Sequence, residues 1–205
     1  MADQTTSSLD SEETFEVEPP DEEQPEELEL DPEIVARRDA ALTRVRKFGD
    51  PVLRTRARPV GAFDGALRSE VATMAELMGD ALGVGLAATQ LGVLHRVLVY
   101  RVQQQAPVAA LINPEIEWTG KDAETMEEGC LSLPGVLVDV ERPIHVRVQA
   151  LDEQAKPILI EASGLEARVI QHEIDHLDGV LILDRTTREQ RKQALRKLRE
   201  AEQAA

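Results

Sequence analysis

The pentapeptide His172-Glu173-Ile174-Asp175-His176 has the residue types and spacing of a metal-dependent hydrolase. On a helix, residues four apart lie on one face, so both imidazoles can reach a single cation. Glu173 is turned by about 100° from His172, enough for its carboxylate to miss the cation and meet a water bound to it. Two neutral nitrogens then hold the ion, and one carboxylate takes the proton of a water whose pKa the metal has lowered to about 7. The chain has only four histidines, and two of them at this spacing around a glutamate are poorly explained as incidental surface residues.

The third ligand decides the class. A peptidase of the H-E-x-x-H-x-x-G-x-x-H kind would place a histidine where this chain has Ile182, which cannot ligate. A downstream helical carboxylate, Glu200, is available but sits in a stretch dominated by Arg and Lys. Cys130, the only cysteine, is the better candidate. A lone Cys is more often a small buried hydrophobe, but Gly129 before it and Pro134 after it mark an irregular loop. Thiolate plus two imidazoles leaves a fourth position for water, the arrangement of a catalytic site. A single cysteine also excludes an intramolecular disulfide, which fits a reducing compartment or a thiol used for chemistry.

The elements that must position these residues follow from apolar spacing. Asp31-Pro32 is a helix start, with an N-cap followed by Pro at the first helical position, and the helix ends near Gly49-Asp50-Pro51. A second helix fits Phe63 to Leu82, with Leu67, Val71, Met74, Leu77 and Met78 at helical spacing. Strands are expected at Arg96–Val102, Val108–Trp118, Val136–Val140, Ile144–Leu151 and Pro157–Glu161. Gly164 precedes the helix that carries the two histidines, and Asp178-Gly179 stops it. A last helix starts near Thr186, with Thr186 and Glu189 as a capping box. The order indicates α+β: antiparallel or mixed sheets packed around a central helix carrying H-E-x-x-H, not a doubly wound array.

The 205 residues carry a formal net charge of -16, but fourteen acids and no bases lie in residues 1–34. The rest of the chain is nearly neutral, so the acidity belongs to one segment. Residues 1–30 lack the apolar content to offset the entropy of ordering and read as a disordered acidic extension. Residues 31–184 form the catalytic domain with its leading helix, and 185–205 a basic C-terminal helix anchored by Leu195 and Leu198. No apolar run approaches a membrane span and no targeting segment is recognisable, so the expectation is a cytoplasmic monomer.

Three short motifs in order resemble the peptide deformylase family. Gly83-Val84-Gly85-Leu86-Ala87-Ala88-Thr89-Gln90 is similar to G-x-G-[LIM]-A-A-x-Q, Glu128 to Ser132 reads E-G-C-L-S, and Gln171 to His176 reads Q-H-E-x-D-H. Weaker similarity runs from about Arg44 through Ile182. Taken alone, the first motif would read as a helix end and a packed turn; Gly83 and Gly85 permit a positive φ or a close backbone approach.

The resemblance implies hydrolytic removal of the formyl group from the formylmethionine of newly synthesised polypeptides. A metal-bound hydroxide attacks the formyl carbon, with Glu173 as acid/base and Cys130, His172 and His176 as ligands. The Gln90 side chain and the Leu131 backbone N–H serve the developing oxyanion. Val84, Leu131 and Val169 would line the methionine pocket, and the Gly85 backbone would pair with substrate. The family implies one divalent ion, Fe²⁺ in the cell with Zn²⁺ or Ni²⁺ as alternatives, although a Cys/His/His set suits zinc equally well. It also implies a brace between Glu128 and Arg142, the alternative being two independent surface charges, and docking of the basic C-terminal helix on ribosomal RNA, the alternative being a solvated helix face. Asp175 either orients a ligand, pairs with a nearby Arg or sits on the helix surface. Leu137 departs from the family, several members of which carry a basic residue at about this point, so one wall of the peptide groove lacks a polar contact.

Overall fold

The computed structural model describes residues 31–204; the acidic segment 1–30 lies outside them. Four helices and seven strands organise the described residues. Helix α1 spans Pro32–Arg44, with the Asp31 carboxylate accepting from the Glu33 N–H at 2.8 Å. It stops five residues before Gly49, where the sequence places its end. The cause is tertiary: the Arg46 N–H donates to the Gln90 carbonyl at 2.7 Å, and the Phe48 N–H to the Ser132 carbonyl at 2.9 Å. Backbone donors that a continuing helix would use internally are taken by two segments of the site. A short 3₁₀ turn, Pro51–Arg54, follows under an Asp50 cap. Helix α2, Gly65–Asp80, starts on Asp64 and buries the five apolar residues expected from their spacing.

Strands β1 (Gly85–Ala87), β2 (Val97–Tyr100), β3 (Ala109–Thr119), β6 (His145–Leu151) and β7 (Pro157–Ser163) form a five-stranded antiparallel sheet in the order β1-β2-β3-β6-β7. Strands β4 (Ala123–Cys130) and β5 (Leu133–Pro143) form a separate antiparallel hairpin. Helix α3, Gly164–Leu177, packs Ala167, Val169, Ile170, Ile174 and Leu177 against Leu98, Leu111, Val146 and Val148 of the large sheet. It also bonds to the hairpin: the Arg168 guanidinium donates to the carbonyls of Val140 and Glu124. The fold is therefore α+β, with antiparallel sheets around a central helix. Helix α4, Arg188–Ala204, buries Ala194 and Leu198 against Val136, Val138 and Val140 of β5, while Leu195 is only partly covered.

Strand β4 is absent from the sequence expectation. Ala-Glu-Thr-Met-Glu-Glu-Gly-Cys has no β-branched run, and only Glu128 is buried. The strand exists because β5 presents a continuous partner, paired from Ala123↔Pro143 to Gly129↔Leu137. Cys130 is accordingly the last residue of a strand, not part of a free loop. The pairing then slips, so that Cys130 opposes Leu133, and the irregularity expected around Gly129–Pro134 is this bulge and its turn. At α4 the cap is also shifted: the Arg191 N–H bonds to the Thr187 carbonyl, and Gln190 turns away to Asp139 and Thr186. No helix among the described residues is long and apolar enough to cross a membrane.

Candidate active site

Cys130, His172 and His176 converge. One side-chain atom from each lies within 4.8 Å of the other two, and Cys130 Sγ is 3.2 Å from His176 Nε2. The two histidines come from one face of α3 and the thiol from the end of β4, so the hairpin must dock on the helix to assemble the group. Burial by itself would raise the Cys130 thiol, but the charges and hydrogen bonds of His176 and His172 outweigh it and hold the thiol well below its usual value. Burial likewise opposes the His172 proton, and is overcome by hydrogen bonds to Cys130 and Glu128. A thiolate facing two imidazoles is a donor set that fits a divalent cation.

Glu173 shares the helix but not the face. Its side chain is buried, Oε2 has no hydrogen-bond partner among the described residues, and burial raises its pKa against the opposing pull of the two imidazoles. Gly85 of β1 makes that placement possible. A Cβ added there would stand 2.5 Å from Glu173 Oε1 and 2.9 Å from its Cγ and Cδ. Neither Gly83 nor Gly85 has a positive φ; at Gly85 the close approach is the operative property.

Gln90 is buried in the one-turn 3₁₀ segment Ala88–Leu91 that follows β1. Its Oε1 accepts from the Ala87 N–H at 2.9 Å, which fixes the amide so that Nε2 faces Ser132 Oγ (3.3 Å) and Cys130 Sγ (3.8 Å). Leu131 lies in the bulge, and its carbonyl accepts from Lys47 Nζ at 3.0 Å. Lys47 is itself lowered by burial, partly offset by Cys130 and reinforced by the Arg38 charge.

Behind the three clustered side chains lies a buried charge cluster. Arg142 grips Glu128 through two bonds of 2.6 and 2.9 Å and reaches Asp175 at 2.9 Å. Arg168 adds a bond of 2.7 Å to Glu128, and Arg185 closes on Asp175 at 2.6 and 3.1 Å. His172 Nδ1 is 3.0 Å from Glu128 Oε2. Burial would raise the Glu128 carboxyl, but His172 and Arg142 outweigh that and keep it ionised far below the usual carboxylate range. Asp175 bonds to arginines, not to a ligand histidine.

A groove of about 600 Å³ opens onto the group, lined among others by Val84, Gly85, Gln90, Leu131, Leu137, Val169 and Glu173. Glu200, the alternative carboxylate ligand, is an exposed partner of Arg196 at 3.6 Å. Sequence reasoning missed Lys47, Ser132 and Arg168. The last had a signal: an arginine four residues before His172, on the same helix face as the two histidines.

Comparison with known proteins gives this geometry a family. A family model described as polypeptide deformylase matches residues 42–192. A peptide deformylase of Acidothermus cellulolyticus is 48% identical over 164 residues, 80% of this chain and 89% of that one. A peptide deformylase of Thermotoga neapolitana is 49% identical over 142 residues, 69% of this chain and 85% of that one. Among solved structures, a peptide deformylase from Synechococcus elongatus in complex with actinonin superposes with TM-score 0.72 at 46% identity, covering 75% of this chain and 85% of that one. One from Legionella pneumophila gives 0.74 at 39% identity, covering 78% and 95%. With its helix-borne histidines, strand-end cysteine and buried glutamate, the chain belongs to the polypeptide deformylase family of enzymes.

Proposed function

We propose that the chain releases formate from the N-terminal formylmethionine of newly made polypeptides, with Cys130, His172 and His176 holding one divalent cation and Glu173 handling the proton. The observation that carries this is a buried carboxylate with an unpartnered oxygen beside three clustered ligand atoms at the floor of a groove. When bound, the cation supplies a nucleophilic water at neutral pH and positive charge beside the formyl oxygen. Glu173 takes the proton as the water oxygen bonds to the formyl carbon, then passes it to the departing amine nitrogen as the C–N bond breaks. The Gln90 amide, already aimed by Ala87, and the Leu131 N–H donate to the oxygen that gains charge. Val84, Leu131 and Val169 give the methionine side chain an apolar wall, and the Gly85 backbone is available to an extended substrate.

Ferrous iron is the ion we assign in the cell, with Zn²⁺ or Ni²⁺ able to occupy the same ligands. The test is anaerobic purification with metal analysis, followed by formate release from formyl-Met-Ala-Ser against its acetyl analogue. Release from the formyl peptide alone is expected, lost in Glu173→Gln with metal retained, and metal itself lost in Cys130→Ala. Full activity of Glu173→Gln, or bound metal in Cys130→Ala, would refute the assignment.

Exposed basic residues of α4, Arg188, Lys192 and Lys197 among them, are suited to ribosomal RNA. Because α4 covers part of the core, deleting it confounds binding with folding. Reversing those three charges should abolish ribosome co-sedimentation at unchanged melting temperature; unchanged co-sedimentation refutes docking.

A further inference from the structure

The groove that leads to the ligand cluster has one wall at the edge of the family match. Arg38 and Leu42, one helical turn apart on α1, both line it. The match begins at residue 42, so Arg38 lies outside it. Helix α1 is nonetheless fixed in place: Ala41 is buried against α2, and Leu42 packs on the same cluster. The Arg38 side chain therefore reaches the groove from an anchored element.

Charges around this groove are nearly all committed elsewhere. Glu128 and Arg168 pair with each other, and Lys47 is turned into the Leu131 carbonyl. Of the remaining lining charges outside the catalytic floor, Arg38 and Glu127 are left. Arg38 is 44% exposed, and its carboxylate partner, the adjacent Asp39, is 3.9 Å away and more exposed still. Such a contact holds its partner weakly. Leu137, which also lines the groove, is 57% exposed and offers no charge. Apart from Glu127, the remaining exposed lining is apolar, through Leu82, Val84 and Met126. A guanidinium beside apolar walls attracts a carboxylate more strongly than it would in open water, because the walls exclude high-dielectric solvent.

We infer that Arg38 is a specificity residue of this enzyme, favouring formylmethionyl chains that carry an acidic side chain shortly after the methionine. The inference rests on the reading of the substrate given above. An extended chain advances about 3.3–3.6 Å per residue, so the residues that follow methionine run out along the groove toward its mouth. Arg38 meets their side chains there and takes no part in breaking the formyl bond.

The test uses the metal-loaded full chain and formyl-Met-Ala-Asp-Ala and formyl-Met-Ala-Lys-Ala peptides with amidated C-termini. The wild type should prefer the Asp peptide by about two- to fivefold, the range of a partly exposed ion pair. The difference should lie in KM rather than kcat and shrink as ionic strength rises. Arg38→Ala should bring the Asp-to-Lys ratio to one, Arg38→Glu should invert it, and Arg38→Lys should restore part of it. A ratio equal in wild type and Arg38→Ala overturns the inference, as does a preference seen only with free C-terminal carboxylates. Calorimetry on the same peptides without the formyl group separates the two claims. A charge preference in binding without any formate release defeats the substrate reading alone. No preference in either measurement defeats Arg38.

Discussion

Gly85→Ala adds a single methyl group and should disable the enzyme without removing its metal. The new Cβ would fall 2.5 Å from Glu173 Oε1 and 2.9 Å from Cδ and Cγ, well inside van der Waals contact. A flexible exposed glutamate would swing away at little cost, but the Glu173 side chain is buried and its Cγ, near the root, is among the atoms struck. Overpacking of this kind costs about 1–3 kcal/mol, which for a chain of this size lowers the melting temperature by roughly 2–12 °C. The larger consequence is catalytic: a displacement on the order of 1 Å at a proton-transferring group costs about 10²-fold in rate. The variant should be assayed for kcat on formyl-Met-Ala-Ser, for bound metal and for melting temperature. Expected are full metal, a modest thermal loss and a kcat lower by about two orders of magnitude. A kcat within about threefold of wild type would mean that the carboxylate relocates freely, and the claim that Gly85 positions it would fail.

Gln90→Leu keeps the volume and removes the amide; kcat should fall by about 10²–10³-fold with metal retained, and a change confined to KM would refute its role toward the oxyanion. Arg142→Leu leaves Glu128 and Asp175 buried with fewer counter-charges, a loss of about 3–5 kcal/mol by chemical denaturation; a loss below about 1 kcal/mol would show that Arg168 and Arg185 suffice. Asp184 predicts a pH dependence. Burial raises its carboxyl, but Arg54, the Leu181 N–H and Arg191 outweigh this and lower it overall. A carboxyl lowered by folding stabilises the native state above its unfolded pKa, and that contribution disappears as pH falls through the folded pKa. Asp184→Asn should therefore be less stable than wild type at pH 7, with the gap closing below the ordinary carboxylate range; a gap independent of pH would contradict the pairing.

How much of this was legible in the sequence depended on whether a residue's partner was close along the chain. Helix α3 could be read directly, because the apolar row of Val169, Ile170 and Ile174 and the pair His172/His176 obey the same periodicity. Helix α2 and strands β2, β3, β6 and β7 were legible for the same reason, within a few residues at their ends. Strand β4 was not, because its polar sequence becomes a strand only through a partner that follows it. The early end of α1 was equally hidden, being set by the carbonyls of Gln90 and Ser132, more than forty residues away. The Cys/His/His cluster could be anticipated from scarcity: with one cysteine and four histidines, few combinations existed. The charge cluster behind it was only half visible, since Arg168 and Glu128 are 40 residues apart and nothing local announces their contact.

That cluster answers a problem which the motifs leave open. The three proposed ligands sit on two elements, the α3 helix and the β4 strand end, and a cation alone would have to draw them together. Glu128 does so beforehand. It lies two residues before Cys130 and accepts from Arg142 on β5, Arg168 on α3 and the ring of His172. Because Glu128 is held ionised, the His172 Nδ1 facing it must be the protonated nitrogen, which leaves Nε2 as the one able to ligate. One carboxylate thus sets the position of the cysteine strand and the tautomer of a histidine. His176, whose Nδ1 meets no such partner among the described residues, is held instead by its Nε2 contact with Cys130. The pair is therefore asymmetric: His172 is oriented from behind by Glu128, and His176 from the front by Cys130. Substitutions in the Glu128 cluster should accordingly disturb Cys130 and His172 together, since the carboxylate they share is what couples strand to helix.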